Sequence, residues 1–403
     1  MEGAPLVFPE WAHLPGAAVL LISEKLKSVT DYVRFCAVCS PWRAASLPKP
    51  RHLPPQLPWV MIPWDCRDKE DDGIRLFYDL WESKMRKLHL PETSGMVCSS
   101  SDYGWILLVE AKGKEVFLLN PLTRARINLP PFATLRHLVI PNSCDNPRYD
   151  NCWHDPYMGF FWIRKVTFSA DPTNPDCLIT VFPWRCCGFF CCRVRDSCWA
   201  MIKTRPNPNS EEYGEYKSYS DAAYYNGRFY LLYNEAIEII DSNNPEERIV
   251  HLLEPNLRAC SKFLIEGKSG VYAVTESSLD EDDPADHCRK EHTVGCPRRK
   301  IELYKFQAQL VKLEKVTDTS STIIFSGCHS CPYVIVCSDD WELLDGGSKY
   351  MVVMDLSLMD EVGGALPYNI SITNLDDDKL KSVVSGIGKG PLARPMWFQP
   401  SPF

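Results

Sequence analysis

The sequence predicts a mainly β protein, in which a small unit of three helices near the N-terminus is followed by an antiparallel β-propeller of six or seven blades. Beyond the first 65 residues, short apolar runs typical of strands recur roughly every 8 to 12 residues, with no strong amphipathic helix between them. This spacing excludes a parallel α/β sheet, which would need crossover helices, and leaves an antiparallel sandwich, barrel or propeller. About 300 residues of such strands is large for one sandwich, whereas blades of about 40 to 45 residues would number six or seven.

The first helix is predicted from a proline and from apolar spacing. Pro15 suits the first helical position, where a missing backbone N–H costs nothing. Ala18, Ile22 and Leu26 recur every fourth residue, which indicates one apolar stripe, and Ser23 is expected to face away from it.

Two further helices follow within a short distance. Ser28 is predicted to cap the second helix, with Asp31 completing a start that resembles a capping box. Ser40 is predicted to cap the third helix, with Pro41 at its first position. We therefore expect a compact helical unit over residues 8–48.

Residues 49–65 are predicted to form a linker. Prolines crowd this part of the chain and favour an extended connection. They are Pro48, Pro50, Pro54, Pro55, Pro58 and Pro63. Apolar residues such as Trp59 and Val60 lie between them, so we expect the linker to pack against the propeller, predicted over residues 66–403.

Turn signals punctuate the predicted strands. Asn226-Gly227 is the strongest, because this dipeptide readily takes the positive φ angles of a type I′ hairpin turn. Turns are also predicted at Lys112-Gly113 and over residues 120–123. Residues 278–300 combine an acidic run with a basic one and are predicted to be a mobile charged loop.

Charge and hydropathy limit the partners. With 44 basic against 52 acidic residues, the chain has a formal net charge of −8 and no overall electrostatic footprint for nucleic acid or an anionic membrane. No apolar run is long enough to span a bilayer, and no basic region of a secretion signal precedes Ala17. We expect a soluble protein of the nucleus, the cytoplasm or both, whose 18 cysteines are mostly reduced, buried apolar groups.

The order and spacing of residues in the helical unit resemble the F-box of plant F-box proteins. The match covers about a tenth of the chain. The matching residues are Trp11, Leu14, Pro15, Leu20, Ile22, Leu26, Ser28, Asp31, Arg34, Phe35, Val38, Cys39, Trp42 and Arg43. This resemblance implies docking on a Skp-type adaptor and, through it, association with a cullin and a RING protein. The side chains expected to bind the adaptor are Leu14, Pro15, Leu20, Ile22, Leu26, Val29, Phe35, Val38, Cys39 and Trp42.

Landmarks in the rest of the chain resemble the KIB-type β-propeller that follows the F-box in one plant family. They keep their order from residue 104 to residue 400. They are Gly104-Trp-Ile-Leu-Leu108, Leu119-Asn-Pro-Leu-Thr123, Leu129-Pro-Pro131, Asp196-Ser-Cys-Trp199, Asp221-Ala-Ala-Tyr-Tyr-Asn-Gly-Arg-Phe-Tyr230 and Met396-Trp-Phe-Gln-Pro400. The resemblance implies a substrate receptor of an SCF-type ubiquitin ligase, whose propeller binds a target protein that the sequence does not name.

Catalytic and metal sites are not indicated. The sequence has no phosphate-binding glycine loop, nucleophile elbow or paired His-Glu metal motif. Cysteines with ligand-like spacing are not expected to bind zinc, because two of the sets lack further ligands and the third lies on strands whose neighbouring residues point to opposite faces. They are Cys36 with Cys39, the group Cys186, Cys187, Cys191 and Cys192, and Cys328 with His329 and Cys331. We therefore expect no cofactor, no metal and no catalytic residue.

Two other functions stay open at this point. The protein could be a stoichiometric binder that inhibits a partner such as a GSK-type kinase, a role associated with some members of the resembling clade. It could also be a propeller hydrolase, which would need acidic residues and arginines gathered at the mouth of the propeller axis.

Overall fold

The structure is a computed structural model of the 403-residue chain. It describes residues 11–26, 28–47, 53, 58–62, 64, 70–80, 82–99, 103–110, 114–132, 163–183, 188–203, 219–233, 236–254, 261–267, 270–278, 299–307, 312–316, 322–327, 334–337, 350–356, 368–374, 380–387, 396–398 and 400.

The predicted helices lie at the N-terminal end of the described chain. After a 3₁₀ turn over Trp11–His13 come α1 (Gly16–Ser23), α2 (Val29–Cys36) and α3 (Ser40–Ala45). Isolated helices of this length are marginal in water, so they depend on packing against one another. In this structure α3 contacts both α1 and α2. One further 3₁₀ turn, Pro91–Thr93, lies among the strands.

The described strands form six sheets, which are the six blades of a propeller. Blade one contains β25 (Met396–Phe398), β1 (Trp59–Met61), β2 (Ile74–Asp79) and β3 (Lys84–His89). Blade two contains β4 (Met96–Ser99), β5 (Ile106–Glu110), β6 (Val116–Leu119) and β7 (Arg126–Leu129). Blade three contains β8 (Ile163–Phe168), β9 (Leu178–Pro183), β10 (Gly188–Arg193) and β11 (Ala200–Lys203).

The remaining blades follow in chain order. Blade four contains β12 (Asp221–Tyr225), β13 (Arg228–Leu232), β14 (Ala236–Asp241) and β15 (Arg248–Leu252). Blade five contains β16 (Ser261–Gly267), β17 (Gly270–Ser278), β18 (Arg299–Gln307) and β19 (Lys312–Lys315). Blade six contains β20 (Thr322–Gly327), β21 (Val334–Cys337), β22 (Tyr350–Leu356), β23 (Tyr368–Asn374) and β24 (Leu380–Ile387).

The C-terminal strand closes the ring. β25 pairs antiparallel with β1, so that Trp59 lies opposite Phe398 and Met61 opposite Met396. Residues 59–61 were predicted to belong to the linker 49–65, but they form a strand paired on both sides within blade one. The propeller therefore begins before residue 66, because the apolar residues 59–61 between the prolines pair with β2 and β25.

Apolar side chains fill the space between successive blades. Four clusters alternate with the sheets, joining blade one to two, two to three, three to four and four to five. The first strands of blades two to five are the inner ones, since β4 contacts β8, β8 contacts β12, and β12 contacts β16. The last strands, β3, β7, β11, β15 and β19, are then at the outer edge of their blades.

A buried polar network connects three inner strands. Lys165 on β8 lies 3.9 Å from Asp221 on β12, and its Nζ donates to the Leu264 carbonyl on β16 at 3.0 Å. Asp221 accepts a hydrogen bond from the Leu264 amide at 2.7 Å and one from the Ala222 amide at 2.8 Å. Each charge is thus matched by an opposite charge or a peptide dipole, as buried charges require.

The main predicted turns are confirmed. Asn226 and Gly227 have φ values of 47° and 77° and join β12 to β13, as a type I′ hairpin requires. At residues 120–123 the Asn120 side chain accepts hydrogen bonds from the amides of Leu122 and Thr123. The predicted Lys112-Gly113 turn lies outside the described residues. So does most of the predicted charged loop 278–300, which connects β17 to β18.

Blade six departs from the purely antiparallel prediction. β20 pairs antiparallel with β21 and parallel with β22, while β22, β23 and β24 are antiparallel. Residues 328–349, which include β21, connect β20 to β22, and this connection is longer than the dozen residues that a parallel return needs. None of the described helices is both long and apolar enough to cross a membrane.

Candidate protein-binding surface of the N-terminal helices

The helical unit, residues 11–47, has a small interior of its own. Val19 and Ser23 of α1, Tyr32 and Phe35 of α2, and Ser46 after α3 are buried. Tyr32 donates a hydrogen bond to the Leu47 carbonyl at 2.7 Å, and burial is the main reason that the pKa of its hydroxyl is raised. This bond fastens the end of α3 to α2.

Ser23 occupies the opposite side of α1 from the one predicted. It is fully buried, and its Oγ donates to the Leu20 carbonyl at 2.7 Å. Val19 and Ser23 are four residues apart and therefore share the inner face. Ile22, which was expected to face the neighbouring helices, is exposed instead.

Aromatic and polar contacts hold the remaining parts together. The rings of Phe35 and Trp42 lie with their centroids 4.5 Å apart. Trp42 Nε1 donates to the Trp11 carbonyl at 2.9 Å, and Arg43 Nε donates to the Cys36 carbonyl at 3.3 Å. The 3₁₀ turn, α2 and α3 are thus linked through Trp42 and Arg43.

The predicted helix starts are correct to within one residue, but the N-cap side chains make no capping hydrogen bonds. Pro15 precedes α1, and its carbonyl accepts from the amides of Ala18 and Val19. Ser28 is the N-cap residue of α2 but makes no side-chain capping bond, and Asp31 pairs instead with Arg34 at 3.3 Å. Cys39, one residue earlier than predicted, is the N-cap residue of α3.

The residues predicted to bind an adaptor fall into three groups. Pro15, Ile22 and Val38 are exposed. Phe35 is buried in the interior of the helical unit. The half-buried residues are Leu14, Leu20, Leu26, Cys39 and Trp42. Val29 is the first residue of α2, and its side chain is not among those that the structure describes.

Large apolar side chains that were not among the predicted adaptor-binding residues are also exposed. Leu21 has 62% of its surface in contact with solvent, and Trp11 and Leu47 are exposed as well. With Val38 at 58%, these residues give a unit of fewer than 40 residues several uncovered apolar groups, while its own interior is closed. Such exposure is typical of a surface that another protein covers. No local pattern in α1 identified Leu21 as an exposed position, because nearly every residue of this helix is apolar or small.

The described cysteines do not form a metal site. No group of three or more His, Cys, Asp or Glu residues within the described ranges is placed to hold an ion. Cys191 and Cys192 are buried in β10, where burial raises the pKa of both thiols, that of Cys191 to about 11. The candidates at residues 186–187 and 328–331 lie outside the described residues.

Residues 77–369 match the family model described as KIB1-4 beta-propeller. The chain belongs to this family. F-box protein SKIP23 of Arabidopsis thaliana is 25% identical over 370 residues, which cover 85% of this chain and 83% of that protein. Another Arabidopsis thaliana F-box protein is 31% identical over 171 residues, covering 42% of this chain and 35% of the relative. The sequence-based assignment to the plant F-box proteins with a KIB-type propeller is confirmed.

A solved protein from Lactobacillus plantarum superimposes with a TM-score of 0.36 at 10% identity, covering 83% of this chain and 82% of that one. A TM-score this low supports no conclusion about this chain.

The KIB-type landmarks have structural roles in the propeller. Trp199 Nε1 donates to the Pro130 carbonyl at 2.7 Å, and its ring lies 4.9 Å from that of Phe132. Two landmarks from blades two and three therefore meet in one contact. Asn120 forms a turn, and Asp221 joins the inner strands, so these landmarks stabilise the scaffold.

Proposed function

We propose that this protein is the substrate-recognition subunit of an SCF-type ubiquitin ligase. Its helical unit docks on a Skp-type adaptor and, through it, on a cullin and a RING protein. Its propeller binds a target protein for ubiquitination and degradation. The chain acts without a cofactor and without catalysis of its own, in the nucleus, the cytoplasm or both, and its partners are proteins rather than nucleic acids or membranes.

The observation that carries the proposal is the uncovered apolar surface of the helical unit. Leu21 and Ile22 project from α1 while Val19 and Ser23 complete the interior. Full burial of a leucine or isoleucine side chain is worth about 1.5–3 kcal/mol, so covering this pair alone would contribute substantially to binding. The relatives' designation as F-box proteins supports a protein partner at this end of the chain.

The proposed mechanism is one of placement. An adaptor held at one end and a target held at the other raise the effective concentration of the target's lysines near the conjugating enzyme. That role requires a rigid target-binding body. Pairing of β25 with β1 and the network around Asp221 supply such rigidity by fixing the blades to one another.

Affinity purification with mass spectrometry tests both halves of the proposal. We expect wild-type protein, with the proteasome blocked, to recover adaptor, cullin and target. The variant carrying Leu14→Ala and Pro15→Ala should lose the adaptor and cullin but keep the target, because it changes only the helical unit. Met85→Ala, which removes an exposed apolar side chain from β3, is the matched control and should lose neither. Unchanged adaptor recovery by the double variant would contradict the proposal.

A further inference from the structure

The outer strand of blade four differs from the other described outer strands in what it exposes. Elsewhere the exposed positions are mostly charged or polar, which protects an outer edge from pairing with other chains. On β3, β7, β11 and β19 they are Lys84, Met85, Lys87, His89, Arg126, Asn128, Ala200, Lys203, Glu314 and Lys315. On β15 they are Ile249, Val250 and Leu252, with Val250 at 43% and Leu252 at 63% exposure.

β15 also has a free edge within the part of the chain that the structure describes. It pairs antiparallel with β14, Val250 lying opposite Glu238 and Ile249 opposite Ile239. No other described strand pairs with it. An outer strand has peptide groups that point away from its sheet, and these can pair with an added strand.

Of the two basic side chains of β15, His251 has its pKa lowered by burial, and Arg248 is engaged on the side away from the free edge. Arg248 lies 3.3 Å from Glu238, which is itself buried, and donates to the Lys203 carbonyl of blade three at 2.8 Å. Its Nε donates to the Pro245 carbonyl at 3.0 Å. Arg248 therefore neutralises an internal carboxylate and leaves the edge without a protecting cation.

Exposed carboxylates frame the apolar edge at both ends. Glu246 and Glu247 precede β15, and Glu254 follows it. None of the three forms an ion pair among the described residues, although Glu254 acts on the His251 imidazole and partly offsets the effect of burial on its pKa. The edge is thus an aliphatic strip between negative ends, and its complement is an extended segment with aliphatic residues in the middle and lysine or arginine at both ends.

We propose that β15 is a docking edge for such a segment of a target protein, which adds to blade four as a further strand. The inference rests on the proposed function in one respect, namely that the propeller is the part that captures a target. Main-chain pairing supplies affinity, and the side chains of Ile249, Val250 and Leu252 with the flanking carboxylates supply selectivity.

A second copy of this chain fits the edge less well. Antiparallel self-pairing centred on Val250 would place Glu246 of one copy opposite Glu254 of the other. Like charges directly opposite each other destabilise a strand pair. The charge pattern therefore favours a basic partner segment over dimerisation.

A defined peptide tests the proposal on the full-length chain. The probe is a fluorescently labelled KKVTVTVKK peptide, and its affinity is measured by anisotropy at low salt and at moderate salt. We expect wild-type protein to bind it, more weakly as salt rises, and to bind the charge-reversed EEVTVTVEE peptide at least about tenfold less tightly. A KKVTVTVKK peptide N-methylated at alternate core amides along its pairing edge should also bind poorly, because those amides can no longer donate.

Variants locate the binding on β15. The double substitution Val250→Lys and Leu252→Lys should weaken binding of KKVTVTVKK about tenfold or more, and Met85→Lys on β3 should leave it unchanged. Thermal melting confirms that both variants fold. Hydrogen exchange of the amides of residues 248–252 should slow when the peptide is added to wild-type protein. Unchanged affinity in the β15 variant, or no binding by the wild-type chain, would overturn the proposal.

Two further measurements separate the possible failures. Dimerisation of the wild-type chain that the β15 variant abolishes would show that the edge serves a second copy and would overturn the proposed occupant. The β15 variant should keep its adaptor, whereas the Leu14 and Pro15 variant should keep the peptide. If both variants kept the adaptor, the result would count against the proposed function alone. The β15 edge would remain a binding surface.

Discussion

Replacing Asp221 with alanine removes the acceptor at the centre of the network between blades three, four and five. The carboxylate accepts hydrogen bonds from two backbone amides, at 2.7 and 2.8 Å, and lies 3.9 Å from the buried Lys165 ammonium. Removing one partner of a buried pair typically costs about 3–5 kcal/mol, because the other charge stays buried and uncompensated. We expect Asp221→Ala to destabilise the propeller by that amount.

Urea denaturation followed by tryptophan fluorescence measures the loss as a lower midpoint at an unchanged slope. Asp176→Ala is the control, since Asp176 forms an exposed pair with Arg195 at 2.9 Å and should contribute no more than about 1 kcal/mol. Adding Lys165→Met to Asp221→Asn removes the stranded charge and should recover part of the stability that Asp221→Asn loses. A loss below about 1 kcal/mol for Asp221→Ala would refute the reasoning, because the network would then not fasten the inner strands.

The other predictions concern cysteines, protonation and close packing. Iodoacetamide near neutral pH should label the exposed Cys198 and spare Cys191 and Cys192 until the chain unfolds, as peptide mapping would show, because burial raises the pKa of both buried thiols. Burial lowers the pKa of His251 below its ordinary 6.5, so the unfolded chain binds the extra proton first. The His251 contribution to stability is therefore complete above about pH 6.5 and falls as the pH decreases through that value, a difference that urea midpoints of wild type and His251→Gln should show. Gly188→Ala would place a Cβ 2.4 Å from the Ile202 carbonyl oxygen and should lower stability by about 1–3 kcal/mol, whereas Gly95→Ala meets nothing within 4 Å and should cost only its backbone strain, as thermal melts would show.

Local sequence patterns predicted the parts of this fold that depend on neighbouring residues. The Asn226-Gly227 turn was predictable because few residues accept two consecutive positive φ angles. Helix starts at Pro15 and Ser28 were predictable from capping preferences. The propeller followed from the regular spacing of strands, since antiparallel strands with short connections leave few architectures.

Features that depend on distant residues were not predictable in the same way. Pairing of β25 with β1 joins strands more than 300 residues apart, and no local pattern in Trp59–Met61 identifies that partner. The parallel pairing of β22 with β20 depends on a connection whose course the sequence does not specify.

The faces of the short helices were the hardest part of the candidate site. In α1 nearly every residue is apolar or small, so periodicity alone could not decide whether Ser23 or Ile22 faced inward. Whether Ser23 or Ile22 faces inward depends on packing against Tyr32 of α2, which is a tertiary contact. The exposure of Leu21 follows from the same arrangement, and the sequence did not include this residue among those expected to bind an adaptor.

The affinity of the purified full-length chain for a purified Skp-type adaptor tests the central claim most directly. Titration calorimetry should show tight binding by wild-type protein and a loss of about a thousandfold when Leu21 and Ile22 are both changed to glutamate, since two apolar anchors of about 2 kcal/mol each are removed. The Val250→Lys and Leu252→Lys variant should bind the adaptor as wild type does. Equal affinity of the Leu21 and Ile22 variant and wild type, with both folded, would contradict the claim that this helical surface connects the propeller to a ligase.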